Sequence, residues 1–394
     1  MKRIYFDHAA TTPVKKEVLE KMLPYFSEIY GNANSQHMFG RDAVKAVDEA
    51  RDTVARIINA KPSEIYFTSG GTEADNWALR GAAHALRGKG KHLIISSVEH
   101  PAMIATAKQL EKDGFDVTYL EVDKDALVHP ETLKKAIRDD TIFIGVMTAN
   151  NEVGTIQPVK ELCEIAHERK ILFFTDAVQA AGVLKLDVKE LGVDMMSFSG
   201  HKFYGPKGVG VLYIKGGTRV DPILTGGHQE RMKRGGTTNV PGVVGLAEAL
   251  RLADEKREEN AAYVASLRDR FIRGVEERIP EVKLNGHRTK RLPANADFSF
   301  RYIEGESILF HLDLAGIAVS SGSACSSGSL EPSHVLLAMG IPEETAHGSI
   351  RFTFGPDNTE EEVDYAVNVL ADTVKKLRAM SPLFKVQEGE KQYV

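Results

Sequence analysis

Cysteine is nearly missing: Cys163 and Cys325 are the whole supply in 394 residues. Two thiols cannot build a disulfide framework, and no Cys/His cluster has metal-ligand spacing, so each thiol needs its own explanation. Long apolar runs are missing as well. Charge interrupts each of them well before the ~18 residues of a membrane helix, and Lys2-Arg3 leads into no apolar stretch of the secretory kind. The expectation is a cytoplasmic chain. Positive charge is not in surplus: the net charge of -5 argues against a general nucleic-acid or anionic-membrane binder. Repeats are lacking, and the one biased segment is a Ser/Gly-rich stretch around Cys325.

What is present suits a globular chain. Hydrophobic residues at 42% and charged residues at 27% supply both a core and a soluble surface, and the length predicts one large domain plus a smaller one. Phe39, Ala43, Val44, Val47, Val54, Ile57 and Ile58 recur at helical spacing, which predicts an amphipathic helix over residues 36–60, ended by Lys61-Pro62. Short β-rich runs then alternate with helical patterns at residues 65–68, 93–96, 117–120, 142–146 and 171–175. That order implies a mainly parallel sheet covered on both faces. Runs at 195–199 and 210–214 flank a Gly-rich bend and complete it. After Leu246 a long charged helix is expected to about Ile279, leading into strands at 296–300 and 350–354, which make a second α+β domain. A last helix runs from Thr359 to about Met380.

Open parallel sheets place ligands at the carboxyl ends of their strands, so the residues just after each strand carry the functional information. Thr68-Ser69-Gly70-Gly71-Thr72-Glu73 opens a helix and offers backbone N–H groups to an anion, though a capped Gly-Gly turn would look the same. His100, in Ser97-Val98-Glu99-His100-Pro101, either lies flat on an aromatic ligand or moves protons; it is otherwise a surface histidine. Asn150-Asn151-Glu152-Val153-Gly154 offers amides to a phenolate oxygen or a carboxylate, or makes a plain turn. Asp176 ends a strand buried on both faces, where a carboxylate needs a positive partner. A protonated pyridine nitrogen is one such partner, with Gln179 in reach of the same ring; a helix cap is the other reading. Lys202, in Ser199-Gly200-His201-Lys202, follows a strand beside small neighbours and can be desolvated for Schiff-base chemistry. Most lysines are solvated, and it is the combination with Thr72, Asp176 and His201 that sets this one apart. Cys325 lies in a stretch of small residues that leaves a thiol free to move, or is an incidental loop thiol. Cys163 sits on a helical pattern and is explained by packing.

Taken in order, Asp7-His8-Ala9-Ala10-Thr11-Thr12-Pro13, Thr68 to Glu73, Glu99-His100, Asn150 to Gly154, Asp176-Ala177-Val178-Gln179, Ser199 to Lys202 and Ser320-Ser321-Gly322-Ser323-Ala324-Cys325 resemble the cysteine desulfurases of the NifS/IscS type. The resemblance spans essentially the whole chain. It implies a fold-type I pyridoxal-phosphate transferase of the class V aminotransferase group: an α/β large domain with a mainly parallel seven-stranded sheet over residues 15–255, and a small α+β domain from residues 1–14 and 256–394. It implies a homodimer that converts L-cysteine to L-alanine and passes the sulfur, as a persulfide on Cys325, to acceptor proteins for iron-sulfur cluster assembly.

The same resemblance assigns the site. Lys202 becomes the Schiff-base lysine, Asp176 the partner of the pyridine nitrogen, Gln179 that of the ring oxygen, and His100 the residue stacked on the ring. Phosphate contacts fall to Gly71, Thr72, Ser199 and His201, with Thr237 reaching over from the second subunit. Arg351, helped by Asn151, takes the substrate carboxylate. No resident metal is implied, only a transient role for Cys325 toward a cluster held by a partner. The expected acceptor is a scaffold of the NifU/IscU type, or a tRNA-thiolation protein. Alternative readings on the same scaffold are a selenocysteine lyase, another β-elimination enzyme or an aminotransferase, and from another class a catalytically idle binding subunit.

Overall fold

The structure is a computed structural model that describes residues 3–321 and 331–384. A two-residue strand, β1 (Ile4–Tyr5), starts the chain, and the main sheet begins with β2 (Ile65–Thr68) and β3 (His92–Ser96). It continues through β4 (Asp116–Leu120), β5 (Thr141–Gly145), β6 (Leu172–Asp176), β7 (Met195–Ser199) and β8 (Gly210–Ile214). These seven strands lie in the order β2-β8-β7-β6-β5-β3-β4. All run parallel except β8, which pairs antiparallel with both neighbours.

Alternation along each strand feeds two cores. On β3, Ile94 joins the face packed by the helices Met38–Ile57, Val159–Glu168 and Val240–Glu255. Its neighbours Leu93 and Ile95 join the other, packed by Gly71–Leu86 and Pro101–Lys112. Burial on both faces explains why these strands are near-continuous apolar runs. Among the buried polar residues on these strands, His92 has both ring nitrogens bonded, to Thr141 Oγ1 at 2.7 Å and Thr118 Oγ1 at 2.8 Å.

A separate core forms around a three-stranded antiparallel sheet. Its strands are β9 (Val282–Asn285), β10 (Asn295–Phe300) and, beyond the short β11 (Ile317–Ala318), β12 (Ser349–Thr353), in the order β12-β10-β9. Phe271, Phe298, Phe352 and Phe354 pack there with the helices Arg257–Arg278 and Glu360–Met380. β1 is parallel to β11, so Ile4 and Phe6 belong to this core. The first residues thus form a strap across the later part of the chain. Among the described residues no helix is long and apolar enough to cross a membrane.

Two expectations are corrected. The single helix over residues 246–279 is two, Val240–Glu255 and Arg257–Arg278, with Lys256 between them at φ -108°, ψ 12°. The first packs on the main sheet and the second on the small one, so the chain must turn where it changes cores. In the helix Met38–Ile57, Phe39 and Val44 are exposed rather than core.

Candidate active site

The loops after β2, β3, β5, β6 and β7, with Arg351 of β12 and Ala9 of the strap, enclose a cleft of ≈ 680 Å³ open to solvent at its mouth. Its floor is the carboxyl edge of the parallel strands, as the sheet topology requires.

At one end is an anion cradle. Gly70, at φ 154° with no capping side chain, leads into the helix Gly71–Leu86, leaving the first N–H groups free to bind a ligand. A Cβ on Gly71 would lie 2.9 Å from Val178 Cγ2, so only glycine keeps that corner open. The acid of the first turn, Glu73, is engaged elsewhere: it accepts from Ser69 N at 2.8 Å and from Arg234 Nε and Nη2 at 2.9 and 3.0 Å. Thr72, Ser199 and His201 line the same end. His201 meets Thr11 Oγ1 at 3.1 Å, and burial followed by the charge of Lys202 pushes its pKa down to about 4, so the ring is neutral.

The middle holds a lysine, a flat ring and buried acids. Lys202 Nζ donates to Ala9 O at 2.5 Å and Ala10 O at 2.8 Å, and Gln179 Nε2 donates to the same Ala9 O at 3.0 Å. His100 caps the helix Pro101–Lys112 by accepting from Ala102 N at 3.1 Å. Burial, then Lys202 and His334, hold it neutral with a pKa of about 4. Asp176 is buried and takes one hydrogen bond, from Val178 N at 2.8 Å; burial raises its pKa and Lys202 opposes the rise. Asp75, on the cradle helix, faces the same cavity. It accepts from Ser197 Oγ at 2.6 Å, and Ser197 is the cross-strand partner of Asp176. Burial first, then Asp176, raises the Asp75 pKa strongly.

At the far end Arg351 donates to Asn151 O at 3.0 Å and Asp7 Oδ1 at 3.1 Å. Its Nε is buried without a partner, a donor costly to leave unmade unless a ligand takes it up. Burial pushes Glu99, beside His100, up to about 8, and its Oε2 is also unpartnered.

Gly71, Thr72, His100, Asn151, Asp176, Gln179, Ser199, His201, Lys202 and Arg351 all line this one cleft. Thr237 does not; it is exposed, beyond the segment that Arg234 ties to the cradle helix. Cys325 lies outside the described residues, and Cys163 is buried in the core. Sequence reasoning missed Asp75 and the carbonyls of Ala9 and Ala10. Asp75 was detectable, since it falls on the stripe Asp75, Leu79, Ala82 and Leu86, buried throughout, where a charge is out of place. Backbone carbonyls leave no such mark. Among the described residues no group of three His, Cys, Asp or Glu side chains could hold a metal ion.

These residues fit pyridoxal phosphate. The cradle suits a phosphate, neutral His100 a ring face, Lys202 an aldehyde, and Asp176 lacks the cation that a pyridinium nitrogen would supply.

The model of the family "Aminotransferase class-V" matches residues 4–366. The chain is 55% identical over 383 residues, 97% of each chain, to "Cysteine desulfurase IscS" of Dictyoglomus turgidum. Among solved structures, a NifS-like protein superposes with a TM-score of 0.90 at 39% identity, covering 95% of this chain and all of the other. SspA in complex with cysteine superposes at 0.80 and 35% identity, over 91% of this chain and all of that one.

Proposed function

Because the chain belongs to the class V aminotransferase family, as one of its cysteine desulfurases, we propose that the cleft around Lys202 is where L-cysteine becomes L-alanine. The observation that carries this assignment is one cavity holding Lys202, Asp176, neutral His100 and the unpaired Nε of Arg351. The family is pyridoxal-phosphate dependent. Here Gly71, Thr72, Ser199 and His201 would hold the phosphate, His100 the ring face, Asp176 the ring nitrogen with its proton, Gln179 the ring oxygen and Lys202 the aldehyde. When bound, the cofactor supplies a covalent handle for an amine and a conjugated ring that takes up the electron pair released at Cα.

The chain's own groups do the rest. Arg351 forks onto the substrate carboxylate with Asn151 beside it. Lys202 Nζ, once the substrate amine replaces it, rests on the carbonyls of Ala9 and Ala10 and accepts the Cα proton. The Cys325 thiolate attacks the substrate sulfur. As the S–S bond forms, the Cβ–S bond breaks, its electron pair stays with the three-carbon fragment, and that fragment gains a proton to leave as alanine.

The reading extends to the assembly. Thr237 points to a homodimer in which it completes the partner's phosphate site, and the exposed stripe Leu19, Leu23, Phe26 and Tyr30 is an apolar face suited to a second copy. The two cores suggest working domains divided near residue 255. The sulfur acceptor is a scaffold of the NifU/IscU type, and the workplace is the cytoplasm, where free thiols persist. Lys202→Ala is expected to abolish both the lysine-linked cofactor absorbance and turnover. Cys325→Ala should keep the cofactor and the spectral response to cysteine yet form no persulfide; sulfide release from it at the parental rate would sink the assignment.

A further inference from the structure

Arg351 on β12 lies directly opposite Asp297 on β10. Side chains so paired in an antiparallel ladder share one face, with Cβ atoms about 4.5–5.5 Å apart. Asp297 is fully buried. Its Oδ1 accepts from Asn285 Nδ2 at 2.7 Å, whereas its Oδ2 has no partner, and neither has Asn285 Oδ1. Two bare acceptors on groups already joined by one hydrogen bond are costly while the acid is ionised. One proton on Oδ2 changes this, because the O–H can then donate to Asn285 Oδ1 and close a two-bond acid–amide pair.

The charges facing Asp297 come from three directions: Arg351 on its own sheet, Arg291 from the segment before β10, and Glu152 from the loop after β5. Arg291 donates through Nε and Nη2 to the carbonyls of Asn295, Val153 and Asn285 at 3.0–3.1 Å, while its Nη1 is buried without a partner. Glu152 accepts from Ser333 Oγ. Its own pKa is pushed up to about 7, chiefly by burial. Burial first, with Glu152 adding to it, pushes Asp297 up to about 7 against the hydrogen bond of Asn285 and the pull of both arginines. A second anion arriving at Arg351 tips that balance further toward the neutral acid.

We propose that Asp297 is a positioning residue for the substrate, taking a proton from solvent onto Oδ2 as the substrate carboxylate reaches Arg351. Arg351 keeps its pair with Asp7 and gains the substrate's negative charge as that of the facing Asp297 is neutralised, so the pocket's total charge is unchanged. This rests on the reading of Arg351 as the carboxylate site.

The test uses holoenzyme and propionate, a carboxylate with no amine to displace Lys202. Its inhibition constant against L-cysteine is measured between about pH 6 and 9. A proton taken up on binding makes inhibition weaken by up to about tenfold per pH unit above the titration of the free acid. The wild type should show this slope, Glu152→Gln should keep it, and Asp297→Asn should be flat. A slope that survives Asp297→Asn, or that vanishes in Glu152→Gln instead, overturns the proposal. Should Asp297→Asn not fold, calorimetry of propionate binding to wild type in buffers of different ionisation heat decides: about one proton taken up at pH 8 supports it, none overturns it. Failure of propionate to compete at any pH would sink the carboxylate reading of Arg351 itself, a distinguishable result.

Discussion

Glu99 shows how much one side chain can hold against ordinary solution chemistry. Its carboxyl is sealed in the interior, bonded through Oε1 to Ser96 Oγ at 2.6 Å and Met147 N at 2.7 Å, and keeps its proton up to about pH 8. In the unfolded chain the same group ionises near its usual value of ~4.3. The folded state therefore binds the extra proton between those two pH values. Its contribution is fully present below the lower one and is lost as pH rises toward the upper. Glu99→Gln retains the acceptor and removes the titration. Denaturant unfolding of this variant should show a flatter decline of stability from about pH 5 to 8 than the parent; an unchanged slope would place the titration elsewhere.

Elements rather than side chains make the anion cradle, and a methyl group is enough to probe it. Gly71→Ala adds a Cβ 2.9 Å from Val178 Cγ2, in the corner where the phosphate would sit. The Cβ forces Val178 to shift, an overpacking that typically costs about 1–3 kcal/mol, so the cofactor-free protein should lose stability by no more than that and remain folded. Its affinity for pyridoxal phosphate, followed by absorbance titration, should fall about tenfold or more; undiminished affinity would remove the cradle from that helix start.

The main elements were legible at this scale because apolar runs bounded by turns mark strands of a doubly covered sheet. Residues 195–199 and 210–214 match β7 and β8 without adjustment. The site residues at strand ends were legible for the same reason: Asp176 closes a run too apolar to carry an unpaired acid. Arg351 was not legible as physics, since an arginine on a strand carries no mark of what it faces, and only the family resemblance singled it out. Nor was the break at Lys256. Asp254-Glu255-Lys256-Arg257 contains neither Gly nor Pro, and the turn there comes from two separate cores that the helices serve.

For the whole molecule the exposed apolar face is the feature that asks for a partner. Leu19 in the helix Lys16–Met22, Leu23 at its end, Phe26 in the short helix Pro24–Ser27 and Tyr30 just beyond it are 47–63% exposed, and the Tyr30 ring sits 5.6 Å from that of Phe39. Apolar groups gathered on one face, rather than scattered, mark an interface. Leu23→Glu combined with Phe26→Glu should convert a dimer to a monomer in sedimentation velocity, while the fold, read by circular dichroism, stays intact. A parent chain that sediments as a monomer would instead assign the face to another protein.

The strap also dictates an order of events during synthesis. Ile4 pairs with Ile317 and Phe6 O accepts from Thr353 N at 2.8 Å, so strand β1 waits for partners translated some three hundred residues later. At about 5–20 residues per second that is a delay of roughly 15–60 s. In its last third Lys202 is already made and the main sheet, complete at Ile214, can already close, yet the strap that carries Ala9 and Ala10 still lacks its strand partners. Thr12 can already bond His201 and Tyr204, but most of the small core must emerge before Thr353 takes the N–H of Ala9 and the lysine's resting place is held from both sides. Cofactor loaded earlier would enter a half-built room, which makes the last strand synthesised, rather than the first, the step that finishes the enzyme.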